Sequence, residues 1–159
     1  MYEESFRTPL VMRLPGGARG DIVEMVQNID YAPTFLELAG VAVPDDIQGV
    51  SLLPLLRGEH PAGWRRSLYY HFYEYPAEHM VKRHYGVRND RWKLIHFYND
   101  QWELYDLQED PHELRNLYGL PEYAAPRREM TDELVRLQTQ YGDTLALRRN
   151  GRVTAANGN

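Results

Sequence analysis

The pattern over residues 67–141 constrains this chain more than any other feature. Four short runs rich in aromatic and β-branched residues, at 68–74, 85–88, 92–98 and 102–107, precede one long amphipathic stretch over 122–141. Such residues suit a pleated, half-buried surface. Asn89-Asp90, between the second and third runs, is a turn pair that favours a hairpin. In the final stretch Met130, Leu134, Leu137 and Tyr141 fall on one stripe at helical spacing, so a helix there can cover one face of a sheet. The expected fold class is α+β, a small antiparallel sheet with a packed C-terminal helix.

Residues 1–66 read differently. Residues 10–14 form an apolar run before the turn Pro15-Gly16-Gly17, and the spacing predicts a buried strand there. A weaker extended segment is predicted over 22–26. Asp30 is placed to cap a helix in which Pro33 sits harmlessly in the first turn and Gly40 ends the run. Ala32, Phe35, Leu36 and Ala39 would form its apolar face. A short helix is expected over 51–56, capped by Ser51 and stopped at Gly58. The run Gly58-Glu59-His60-Pro61-Ala62-Gly63 marks a linker over 58–66, dividing residues 1–57 from 67–147. Asp110-Pro111 should open a short helical turn, and the polar tail 148–159 is expected to be disordered.

Composition excludes several functions. A net charge of −5 does not suit nucleic-acid binding, which needs a basic face. No stretch approaches the apolar length of a membrane span, and the first residues lack the basic and apolar segments of a secretory signal. With no cysteine, the chain offers no disulfide, thiolate metal site or cysteine nucleophile. Twelve Tyr against four Phe point to surfaces where rings pack and hydroxyls find partners.

The chemistry-bearing residues form no recognisable catalytic motif. His71, His79 and His84, with Glu74 and Glu78 between them, match no compact zinc spacing, so no metal ligand is assigned. Ser5, Ser51 and Ser67 lie outside any Gly-x-Ser-x-Gly context. The acidic pairs Glu3-Glu4, Asp45-Asp46 and Glu109-Asp110 are sequence neighbours and ill placed to face each other across a sugar. On a strand, Leu68, Tyr70 and Phe72 would share one face, and Tyr69, His71 and Tyr73 the other. One face is expected to lie under the helix; the other either packs on a neighbouring domain or stacks on sugars.

Three ordered sets of blocks resemble the sulfatase family. The first is Tyr2-Glu3-Glu4-Ser5-Phe6-Arg7-Thr8-Pro9-Leu10 with Arg13-Leu14-Pro15-Gly16. The second runs from Ile29-Asp30-Tyr31-Ala32-Pro33-Thr34 through Gly40-Val41 and Pro44 to Gln48-Gly49-Val50-Ser51-Leu52-Leu53-Pro54. The third comprises Tyr85-Gly86-Val87-Arg88, Trp92-Lys93-Leu94-Ile95, Glu103-Leu104-Tyr105-Asp106-Leu107, Asp110-Pro111-His112-Glu113 and Asn116-Leu117. The resemblance implies that residues 1–57 are the last elements of an alkaline-phosphatase-like α/β catalytic domain and that 67–147 form the family's smaller C-terminal domain. It further implies a sulfuric ester hydrolase acting on carbohydrate, of the N-acetylglucosamine-6-sulfatase or heparan N-sulfatase type, with glycosaminoglycans as the substrate class. Full-length members use calcium and a formylglycine made from the Cys or Ser of a Cys/Ser-x-Pro-x-Arg motif.

This sequence departs from that pattern. It has no Cys, and no serine is followed by x-Pro-x-Arg. No catalytic residue and no metal ligand is therefore carried over, no cofactor is expected in this chain, and the chain alone is expected to be inactive. An export signal, common in the family, would lie upstream. The stretch from Tyr73 to Tyr85 resembles one in carbohydrate sulfatases, and His79 and His84 are the candidate substrate-binding residues. Histidine can hydrogen-bond sugar hydroxyls and, when protonated, attract sulfate; an ordinary loop role is the plain alternative. Expected partners are sulfated carbohydrate and, through exposed apolar edges, a second copy of the chain. The rival function is a non-catalytic carbohydrate-binding or protein-interaction module.

Overall fold

Asn89 closes the central hairpin with its side chain: Oδ1 accepts the backbone amides of Arg91 and Trp92 at 3.0 and 2.6 Å. Around this turn, β1 (Ser67–Phe72), β2 (His84–Asn89), β3 (Trp92–Phe97) and β4 (Trp102–Asp106) pair antiparallel in the order β1-β2-β3-β4. The computed structural model describes residues 2–76, 78, 80–144 and 146. The expected tail over 148–159 lies outside the described residues.

The chain divides into two compact units. One holds the residues from Ser67 onward together with those before Thr8, and the other is Thr8–Arg66. These limits differ from a division at 57 and 67. Residues 2–7 join the sheet unit because Glu3 finds its counter-charges on strands, at Arg88 and Lys93. Trp64 and Arg65, near the end of the 58–66 segment, are tied into the 8–66 unit. The Trp64 indole donates to the Met25 carbonyl at 2.9 Å, and Arg65 grips Asp30.

Register sets the two faces of the sheet. Val87 lies opposite Leu94, and Leu94 opposite Leu104, so Tyr85, Val87, Leu94 and Leu104 share one face. Helix α4 (Ala124–Gln140) lays Met130, Leu134 and Leu137 on that face, all at most 2% exposed, and Tyr141 packs at the edge of the same core. The burial of each such side chain contributes roughly 1.5–3 kcal/mol. On the opposite face, Tyr70 crosses Gly86. A Cβ there would sit 2.7 Å from the Tyr70 hydroxyl oxygen, so only glycine fits. The helical turn α1 (Glu3–Phe6) belongs to this face, where Phe6 packs on Tyr70 with ring centroids 5.0 Å apart.

The 8–66 unit is organised by a buried carboxylate. Asp30 has no exposed surface. It accepts the amides of Gln27 (2.7 Å) and Val50 (2.9 Å) and both terminal nitrogens of Arg65 (2.5 and 2.7 Å). A buried charge requires such partners. Asp30 thus reaches back and across rather than capping α2 (Tyr31–Leu38) with its side chain. Thr34 extends the hub, donating to the Asp30 carbonyl at 2.6 Å and accepting the Leu52 amide at 2.8 Å.

This hub explains a difference from the periodicity. The buried residues of α2 are Pro33 and Thr34, whereas Phe35 on the expected apolar face is 62% exposed. The polar hub turns the Asp30–Thr34 side inward. The short helix is α3 (Leu53–Leu56), with Ser51 Oγ accepting the Leu53 amide at 3.2 Å and Gly58 at φ +82° beyond its end. Leu52, Leu55 and Leu56 form a small core with Met12, Leu14 and Trp64. The segments 10–14 and 22–26 are not strands: they have no ladder partner among the described residues. Asp110-Pro111 makes a turn without a helix, although Asp110 Oδ2 still accepts the Arg115 amide at 2.8 Å.

Candidate functional site

The candidate histidines fall in and beside the segment that joins β1 to β2. His79 lies outside the described residues. His84 opens β2 and is 2% exposed. Its ring sits among Tyr70, Phe72 and Phe97 at centroid distances of 5.8, 5.4 and 5.1 Å. Its Nδ1 donates to the Lys82 carbonyl at 2.8 Å. Burial pushes its pKa down to about 4, only partly opposed by that hydrogen bond. At neutral pH His84 is uncharged, so it offers a hydrogen bond rather than a positive charge.

The aromatic run at the end of β1 is anchored by a residue far along the chain. His71 Nδ1 and the Tyr69 hydroxyl both meet Asp143 Oδ2, the tyrosine at 2.5 Å, just past the end of α4. The other ring nitrogen of His71 bonds the Tyr98 hydroxyl at 2.8 Å. Burial pushes the Asp143 carboxyl up, but the bonds from Tyr69 and His71 outweigh it and hold the pKa below the ordinary value. Burial, reinforced by Asp143, raises the Tyr69 phenol, which stays protonated and donates. Tyr73 stacks on His71 at 3.8 Å yet is 54% exposed, and Tyr75 is 40% exposed. Two partly exposed tyrosines thus follow a hydrogen-bonded base. The spacing gave no hint of Asp143, which reads as one more polar residue after a helix.

A second constellation lies on the face carrying α1. Lys93 is fully buried, with Nζ 2.7 Å from Glu3 Oε1 and 2.8 Å from Glu113 Oε1. Arg88 Nε reaches the same Glu3 carboxylate at 3.1 Å, and Glu113 Oε2 accepts the Glu3 amide at 2.5 Å. Burial raises the Glu3 pKa, but hydrogen bonds from Arg88 and Lys93 prevail and hold it below its ordinary value. Beside this cluster, Glu103 Oε2 accepts the hydroxyls of Tyr2 and Tyr105, each at 3.0 Å.

Neither constellation suits a divalent cation. No group of three or more His, Cys, Asp or Glu is placed to hold a metal among the described residues. On the α1 face, the Glu3 and Glu113 carboxylates are matched to Lys93 and Arg88, and Glu103 accepts two tyrosine hydroxyls.

Comparison with known proteins places the chain. Residues 1–140 match the family model described as N-sulphoglucosamine sulphohydrolase, C-terminal. The chain belongs to this sulfatase family. It is 52% identical over 151 residues to an N-acetylglucosamine-6-O-sulfatase of Bacteroides thetaiotaomicron, covering 90% of this chain and 27% of that protein. A solved structure of a protein in complex with its substrate D-glucosamine-2-N,6-O-disulfate is 56% identical, with a TM-score of 0.69 over 72% of this chain and 24% of that one. A phosphonate monoester hydrolase from Silicibacter pomeroyi aligns with a TM-score of 0.71 at 27% identity, over 81% of this chain and 28% of its own. The chain therefore spans about a quarter of the length of these relatives.

Proposed function

We propose that this chain is the C-terminal part of a carbohydrate sulfatase whose whole protein removes the 6-O-sulfate of a glucosamine-type sugar. The observation that carries this reading is the 52% identity to an N-acetylglucosamine-6-O-sulfatase along 90% of the chain. Within the whole protein, calcium and formylglycine would supply the electrophilic assistance and the nucleophile from the part upstream. The role of this chain would be to hold the segment from Tyr73 to His84 beside the substrate. Tyr73 and Tyr75 are exposed enough to offer ring faces to a sugar. His84, neutral and buried, would stiffen the segment, and His79 is the candidate for direct contact.

The test is sulfate release, followed by ion chromatography, from the full-length protein that carries this segment. N-acetylglucosamine-6-sulfate should be hydrolysed and a sugar sulfated only at the 2-O position should not. Equal turnover of both, or preference for a phosphonate monoester, would contradict the proposed substrate class.

A further inference from the structure

The face of the sheet opposite α4 is built like a binding site, although residues of the same chain fill it. Its floor is Lys93, a lysine with no exposed surface. Its wall is Glu113, 7% exposed and held at φ +54°, a backbone conformation that non-glycine residues rarely adopt. That conformation accompanies a carboxylate aimed at both Lys93 Nζ and the Glu3 amide. Two aromatic contacts flank the charge. Tyr2 rests edge-on against Tyr105 at 6.0 Å with its hydroxyl on Glu103, and Phe6 packs on Tyr70 with Lys93 Nζ 5.6 Å from its ring.

The occupant enters with three side chains. Tyr2, though still 40% exposed, engages the sheet together with Glu3 and Phe6, which are half-buried, while Glu4 and Ser5 are exposed. Every receiving residue lies beyond Ser67, whereas the turn precedes the whole of the 8–66 unit. All the contacts between them are non-covalent, and the charged ones are largely desolvated, which makes them selective for a matching partner.

We infer that the Lys93 face is an acceptor site for an acidic–aromatic helical turn of the form Tyr-Glu-x-x-Phe, and that its natural occupant is the Tyr2–Phe6 turn of this chain. The site recognises the turn as a ligand, not merely as the adjoining stretch of polypeptide, so covalent continuity at residue 7 is not needed to keep it bound. This inference is independent of the proposed substrate.

A specific protease site inserted between Arg7 and Thr8 of the 159-residue chain, cut after folding, tests it. The freed N-terminal peptide should co-elute with the remainder on gel filtration. Its dissociation constant should rise at least ~10-fold when the chain carries Glu3→Gln, since Lys93 then loses a buried counter-charge. With Glu4→Gln it should stay within about twofold, because an exposed charge contributes little. Lys93→Met should release the peptide as Glu3→Gln does. Loss of the peptide from the cut wild-type chain, or equal retention by the Glu3→Gln and Glu4→Gln chains, would overturn the inference. The substitutions at Glu3 and Glu4 lie on the peptide, so a difference between them does not depend on whether the Lys93→Met sheet folds.

Discussion

The buried ammonium of Lys93 lies 2.7 Å from the carboxylate of Glu3, joining the third strand to a helical turn near the start of the chain. The Tyr-Glu-Glu-Ser and Trp-Lys-Leu-Ile blocks therefore meet in space. Glu113, from the Asp-Pro-His-Glu block, completes the cluster at 2.8 Å from the same ammonium. Three blocks that carry the family resemblance converge on one electrostatic centre.

Removing one member of this cluster leaves an uncompensated buried charge. Glu113→Gln should destabilise the chain by about 3 kcal/mol, read as a lower urea midpoint with an unchanged m-value. Glu109→Gln, at an exposed turn, should fall within ~0.5 kcal/mol of wild type.

The histidine at the start of β2 makes stability depend on pH. Its folded pKa, about 4, lies below the unfolded value near 6.5. Between these values the unfolded chain binds a proton that the folded chain does not, so stability is present above about pH 6.5 and is lost as pH falls toward 4. The loss should be on the order of 3 kcal/mol by pH 4, at about 1.4 kcal/mol per pH unit. His84→Phe should flatten the slope in this window, and an NMR titration should show the His84 ring still neutral at pH 6.

Asp143 acts lower on the pH scale. Its folded pKa is depressed, so its contribution is present above the unfolded carboxylate value and disappears as pH falls through the folded one. Asp143→Asn should destabilise by about 1–3 kcal/mol, the range for a lost charge-assisted hydrogen bond. Amide exchange should quicken first in the last turn of α4 and at the end of β1.

The two helices should respond to truncation to very different extents. Leu134→Ala removes a fully buried side chain from the sheet core and should cost about 2–5 kcal/mol. Phe35→Ala, at a residue 62% exposed, should cost less than about 1 kcal/mol in this chain. Chemical denaturation of both variants separates the packed helix from the helix whose apolar side faces outward.

The elements that residue periodicity reveals are those stabilised by apolar packing. The runs around Tyr85–Val87, Leu94 and Leu104 alternate because one face lies under α4, and Met130, Leu134 and Leu137 repeat because they meet it. Periodicity failed where polar chemistry decides orientation. Asp30 and Thr34 turn α2 so that its Phe35 side faces outward, and no hydrophobic count records a buried carboxylate that needs Arg65. The candidate site was legible only in part. His84 could be singled out as a residue type, but its aromatic enclosure and neutrality depend on Phe72 and Phe97 flanking it from neighbouring strands. The pairings of His71 with Asp143 and of Glu3 with Lys93 span the fold, and no local spacing encodes them.

Turnover by the pure 159-residue chain decides whether catalysis needs the upstream part of the protein. N-acetylglucosamine-6-sulfate and a chromogenic aryl sulfate would each be incubated with it in the presence of calcium, and released sulfate measured beside the full-length protein. The full-length protein should release sulfate, and this chain should release none above the uncatalysed rate. Metal-dependent turnover by this chain alone would show that it is catalytically self-sufficient and overturn the assignment of the catalytic groups to the upstream part.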